Sequence, residues 1–168
     1  PTNSFVSFAG FCLLRLKSEL ARHLSLDGAG LTYKLTMPIQ TAEVLAGARG
    51  RILALGSADR FPLLDFFEEC ERHYPAEVAK LNKLFERLAA TALIRDETKC
   101  RKLHDDLYEL KTSGGLRVTW FWDEGYTVLC GHCFVKKSAK TPKNELQQAL
   151  EWQRRYRAAK QSGQIQTI

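Results

Sequence analysis

The chain has 168 residues, 45% hydrophobic and 26% charged, with 11 glycines and five prolines. That composition fits one globular domain, or one domain with an appendage, and excludes a disordered tail protein, a collagen-like fibre and a disulfide-stapled scaffold. Net charge is +6, yet residues 1–135 carry 17 basic and 17 acidic side chains, so the excess lies in residues 136–168, with eight against two. A concentrated positive field suits a polyanion such as nucleic acid, and a solvated basic helix accounts for the charge equally well.

No apolar run approaches the ~18–20 residues that span a bilayer. Cys12, Cys70, Cys100, Cys130 and Cys133 are odd in number and follow no framework, which points to reduced thiols and a cytoplasmic protein. Residues 5–14 are apolar, but no basic residue precedes them and Arg15 and Lys17 follow. They are expected to start a buried helix, not to form an export signal.

Leu13, Leu16, Leu20 and Leu24 predict a helix over residues 8–24, which Asp27-Gly28-Ala29-Gly30 ends. Leu31, Tyr33, Leu35 and Met37 alternate with polar residues as in a half-buried strand, and 38–46 reads as a short helix. Residues 1–50 are thus an N-terminal extension, helix plus strand, without recognisable chemistry. Ile52–Leu55 is a short apolar strand. Asp59 is placed to cap a helix with Pro62 in its first turn and an inner stripe of Leu63, Phe66 or Phe67, Cys70 and Tyr74. Pro75 restarts a second helix bearing Val78, Leu81, Phe85, Leu88 and Ala92, and the short junction predicts an antiparallel helical hairpin.

Extended runs follow at Leu103–Lys111, Leu116–Asp123 and Tyr126–Lys136, separated by Ser113-Gly114-Gly115 and Asp123-Glu124-Gly125. Short glycine-containing turns make these an antiparallel meander. Thr141 then caps a last helix, with Pro142 at its first position, running to about Lys160. From residue 51 the order is β-α-α-β-β-β-α, an α+β domain over 51–160 with helices on an antiparallel sheet, and 161–168 is a tail.

The stretch Leu103-His104-Asp105-Asp106-Leu107-Tyr108-Glu109-Leu110, then Leu116-Arg117-Val118, then His132-Cys133-Phe134-Val135-Lys136-Lys137-Ser138-Ala139-Lys140-Thr141-Pro142 resembles the phage-derived HigB-like toxins of the RelE/ParE superfamily. That family shows a "glyEl…yRv…LLHGFvKKtqKTP" pattern before a last helix of the "…E…A" type, places that Glu145 and Ala149 fill here. Cys133 stands where the family has Gly, and Ser138 where it has Thr. The resemblance covers about 51–160 and implies the toxin of a bacterial type II toxin–antitoxin pair. It also implies a ribosome-associated mRNA endonuclease with no metal or organic cofactor, silenced by a cognate antitoxin, often a helix-turn-helix protein. A non-enzymatic inhibitor of the gyrase-poisoning branch and an inactive phage-derived RNA-binding remnant stay open as alternatives.

RNA cleavage by the substrate's own 2′-hydroxyl needs a base, positive donors for the charge developing on phosphorus, and an acid for the departing 5′-oxygen. Arg117, alternating with Leu116 and Val118, suits phosphate binding through its planar fork. His132 has the intrinsic pKa for proton transfer. Lys136 shares its face by strict alternation, and Lys137 and Lys140 are further candidates near the same strand end. An exposed strand arginine, a structural histidine and solvated lysines are the bland readings of the same residues. Tyr108 can stack on a base or pack in the sheet. Lys143, Arg154, Arg155 and Arg157 are candidate phosphate contacts, or an antitoxin-facing or solvated surface. Homo-oligomerisation is possible and nothing points to a membrane. Cys130-Gly131-His132-Cys133 spells a redox Cys-x-x-Cys, but extended residues flank it where that chemistry needs a helix N-terminus.

Overall fold

The computed structural model describes residues 38–136 and 143–168. The predicted helix over 8–24, the strand over 31–37, Cys12, and Lys137, Lys140, Thr141 and Pro142 lie outside the described residues.

The apolar run at 52–55 needs burial on both sides, and it receives it. It forms strand β2 (Arg51–Ser57), with Ile52 and Ala54 facing one core and Leu53 and Leu55 the other. A second apolar segment, Thr127–Val135, forms β6 and pairs parallel to β2. Around these two lie β1 (Ile39–Ala46), β3 (Cys100–His104), β4 (Leu107–Lys111), β5 (Leu116–Asp123) and β7 (Ile165–Thr167). The seven form one mixed sheet in the order β3-β4-β5-β6-β2-β1-β7. Helices α1 (Pro62–His73) and α2 (Pro75–Thr91) cover one face, and α3 (Lys143–Gln161) covers the other. The architecture is α+β with three helices.

Proline at the first turn starts α1 and α2, and Val78, Leu81, Phe85 and Leu88 are buried as their spacing predicts. Phe67 of α1 and Phe85 of α2 meet with ring centroids 5.8 Å apart. On the opposite face Ala149, Tyr156 and Ala159 pack α3 against Leu53, Leu107, Phe121 and Leu129.

Five details differ from the sequence reading. Residues 39–46 are strand, not helix: pairing with β2 from Ile39↔Ser57 to Ala46↔Arg51 overrides the helix-forming Ala, Glu and Leu in the segment. This strand, counted above in the extension, is therefore part of the same sheet. The run 103–111 is two strands, because the chain turns at Asp105–Asp106 and β3 folds back on β4, giving a four-stranded meander. Asp59 does not cap α1; it forms a reciprocal pair with the Gln40 amide, accepting from Nε2 at 3.0 Å and donating its N–H to Oε1 at 2.9 Å. Tyr74 and Ala92 end their helices and are not stripe residues, and Tyr74 is exposed. Finally, the tail returns as β7, parallel to β1.

Candidate active site

Alternation along the meander sorts its side chains between the two faces. Leu107, Phe121 and Leu129 point into the core under α3, so Glu109 and Arg117, at even spacing from them on β4 and β5, point the same way. Arg101 joins them from β3 by pairing with Glu109. Beyond the first turn of α3 this face is no longer apolar. It carries Arg101, Glu109, Arg117, His132 and Lys136.

A single bulge decides where His132 looks. Thr119 pairs with His132 and Trp120 with Cys130, so Gly131 is the extra residue of β6. Without it the alternation from Cys130, which faces the helix pair, would turn His132 to that side. With it, His132 faces α3, its ring 5.7 Å from that of Phe134, and Cys133 packs against the helix-pair core. A Cβ on Gly131 would stand 2.8 Å from Cβ of Trp152, so glycine also permits the close approach of α3.

The register then brings the candidate residues together. Arg117 lies directly opposite Phe134. His132 and Lys136 are therefore its two diagonal neighbours on β6, a relation that puts Cβ atoms ~7–8 Å apart, within reach of long side chains. The Arg117 side chain is 13% exposed and donates from Nη1 to the carbonyls of Thr112 and Leu116, both at 2.8 Å. Burial holds its guanidinium below its ordinary pKa, and Glu109 opposes that shift. Desolvation, then the nearby charge of Arg101, draws the Lys136 ammonium below the ordinary lysine value, with Glu109 opposing and Arg117 and Lys111 reinforcing.

Two carboxylates that carry no assigned role in the sequence reading organise this cluster. Glu109 is fully buried, accepts from Arg101 Nε at 2.9 Å, and lies 3.8 Å from Arg117 Nε. Its Oε1 and the Nε of Arg117 are buried without a hydrogen-bond partner. Glu145, in the first turn of α3, meets His132 Nε2 through Oε2 at 2.6 Å. The signals for both lie in the family pattern, whose "glyEl" Glu is Glu109 and whose last-helix Glu is Glu145.

Other candidates stand apart. Tyr108 lies on the opposite face, stacked on Trp120 with centroids 4.8 Å apart and 23° between the rings. Lys143 is exposed at the start of α3. Arg154 is 72% exposed and bonded to Glu151 at 2.9 and 2.6 Å. Arg155 donates to Ser57 Oγ at 3.1 Å with its guanidinium 4.9 Å over the Trp152 ring, and Arg157 bonds Asp106. The last two thus tie α3 to the sheet. Cys130, fully buried in mid-strand, has its thiol pushed well up by burial, the reverse of what redox chemistry requires. Cys70, Cys100, Cys130 and Cys133 are all free thiols. Among the described residues no cluster of three His, Cys, Asp or Glu could hold a metal ion. No described helix is long and apolar enough to cross a membrane.

A family model described as phage-derived protein, Gp49-like (DUF891), matches residues 66–154, more than half of the chain. No curated protein matches.

Proposed function

Because the chain belongs to the Gp49-like family of phage-derived proteins, within the RelE/HigB-like toxin superfamily, we propose that it is the toxin of a bacterial toxin–antitoxin pair and cleaves mRNA. The observation that carries this reading is the register: the guanidinium opposite Phe134 is flanked by an imidazole and an ammonium on one strand. In this reading one phosphate sits between them.

In this proposal the RNA 2′-oxygen attacks the adjacent phosphorus, the bond from phosphorus to the 5′-oxygen breaks, and a 2′,3′-cyclic phosphate and a 5′-hydroxyl result. Arg117 holds the non-bridging oxygens and, always charged, offsets the charge that grows there. Lys136, with its pKa drawn down, takes the 2′ proton. His132 protonates the departing 5′-oxygen. An ionised carboxylate only accepts, so Nε2 carries a proton bonded to Glu145, and the proton that His132 gives to the 5′-oxygen is a second one, on Nδ1 of the doubly protonated ring. Glu109 acts as a positioning residue, holding Arg101 and Arg117 from below. The antitoxin is a separate protein that covers this surface, and the substrate is mRNA on the ribosome.

Induced expression without antitoxin, followed by mapping of RNA ends, tests the reading. Wild type should yield new message ends and arrest growth, and the Arg117→Ala/Lys136→Ala variant should do neither while remaining folded. Full toxicity of a folded double variant overturns the site. Intact message with damaged DNA supports the gyrase-type inhibitor instead.

A further inference from the structure

The balanced charge of residues 1–135 conceals a second basic surface. A groove of about 520 Å³ runs between α2 and the ends of β3 and β4, lined by Lys80, Lys83, Arg87, Lys99 and Lys111 and by no acidic side chain. Lys80 bonds Glu77 at 2.5 Å and Lys99 bonds Asp96 at 2.9 Å. Lys83, Arg87 and Lys111 form no ion pair among the described residues. Three like charges left beside one another cost folding free energy unless an anion arrives.

The groove lies on the helix-pair side of the sheet and the candidate site on the other, and they approach each other at the end of β4. Lys111 closes one end of the groove and pairs in register with Arg117 across β4 and β5. Its charge is also among those felt by Lys136. On α2, Lys80, Lys83 and Arg87 share one face, spaced by about a 5.4 Å turn, so the positive track extends along the helix. Leu84 is the only apolar side chain in the lining. Five cations and no carboxylate in the lining are the charge complement of a sugar–phosphate chain.

We propose that this groove is a docking strip for the phosphate backbone of a single RNA strand, continuing the path from the candidate site around the end of β4. The direction of the strand rests on the cleavage reading; the groove's own affinity does not. Each phosphate contact on a single strand contributes ~0.7 to the slope of log K against log salt.

The test is fluorescence anisotropy on the full chain. The probes are a labelled single-stranded 2′-O-methyl RNA long enough to span both surfaces, and the matching dinucleotide, across a KCl series. Lys83→Ala/Arg87→Ala should weaken the long RNA about tenfold and lower the salt slope by about 1.4, two contacts' worth, leaving the dinucleotide unchanged. Long-RNA affinity within twofold of wild type overturns the proposal. So does an equal loss in the control Arg72→Ala, on the exposed end of α1, or tighter binding of an oligoglutamate that the same variant abolishes. If wild type cleaves message but the groove variant binds normally, the groove fails alone. If wild type cleaves nothing and the groove variant still loses the long RNA, the cleavage reading fails and the groove stands.

Discussion

Glu109 holds Oε2 3.8 Å from Nε of Arg117 and 2.9 Å from Nε of Arg101, with no solvent exposure of its own. One buried anion beneath two cations leaves the pair of guanidiniums with a net positive charge. Replacing Glu109 by Gln keeps the volume and removes the compensation. We expect a loss of about 3–5 kcal/mol, the range for breaking a buried pair, read from the urea midpoint. A change below 1 kcal/mol would show that the carboxylate is not the anchor.

His132 is buried and paired with Glu145 at 2.6 Å. His132→Asn should lower single-turnover RNA cleavage by roughly 10²–10⁴, the contribution of a positioned acid or base. Glu145→Gln should cost less and alter the shape of the pH–rate profile, because it acts through the imidazole. Identical profiles for Glu145→Gln and wild type would assign Glu145 to packing alone.

Gly131→Val tests the bulge. The added Cβ meets Trp152 Cβ at 2.8 Å, so α3 must shift or β6 must lose the bulge. Overpacking of this kind costs about 1–3 kcal/mol and should remove cleavage even where the protein stays folded, because His132 turns away from Arg117. Unchanged cleavage in a destabilised variant would mean that the phase of β6 does not control the site.

Glu77 latches α2 to the turn between β4 and β5, accepting from Lys80 Nζ at 2.5 Å and from the Gly114 N–H at 2.6 Å. The Lys80 and Thr112 hydrogen bonds bring its pKa down to about 2 from 4.5. The folded value is depressed, so its stabilisation is complete above about pH 4.5 and fades as pH falls toward 2. Thermal melts should therefore separate wild type from Glu77→Gln at pH 6 and converge near pH 2. A gap that does not narrow on acidification would contradict the latch.

Arg157 bonds Asp106 and is half exposed. Its replacement by Ala should change stability by no more than about 1 kcal/mol and leave RNA affinity within twofold, whereas a phosphate contact would steepen the salt slope.

The local patterns were legible in the sequence. Proline and the 3.6 period place α1 and α2, and the two-residue period puts Arg117 opposite Leu116 and Val118 in facing and His132 in line with Lys136. What escaped depends on contacts far along the chain. β1 is a strand because β2 is there to pair with it, and β7 because β1 is. Gly131 reads as part of a Cys-x-x-Cys string until the register shows two β6 residues against one on β5. Arg155 and Arg157 look free in a basic run, and only folding supplies Ser57 and Asp106 as partners.

The most direct measurement is a crystal structure of the full chain with an RNA made uncleavable by a single 2′-deoxy substitution at the scissile position. The account predicts one phosphate with its oxygens in hydrogen-bond contact with both Arg117 and Lys136, and the His132 ring within reach of its 5′-oxygen. An RNA bound with that phosphate elsewhere, or with the three side chains on different groups, would contradict it.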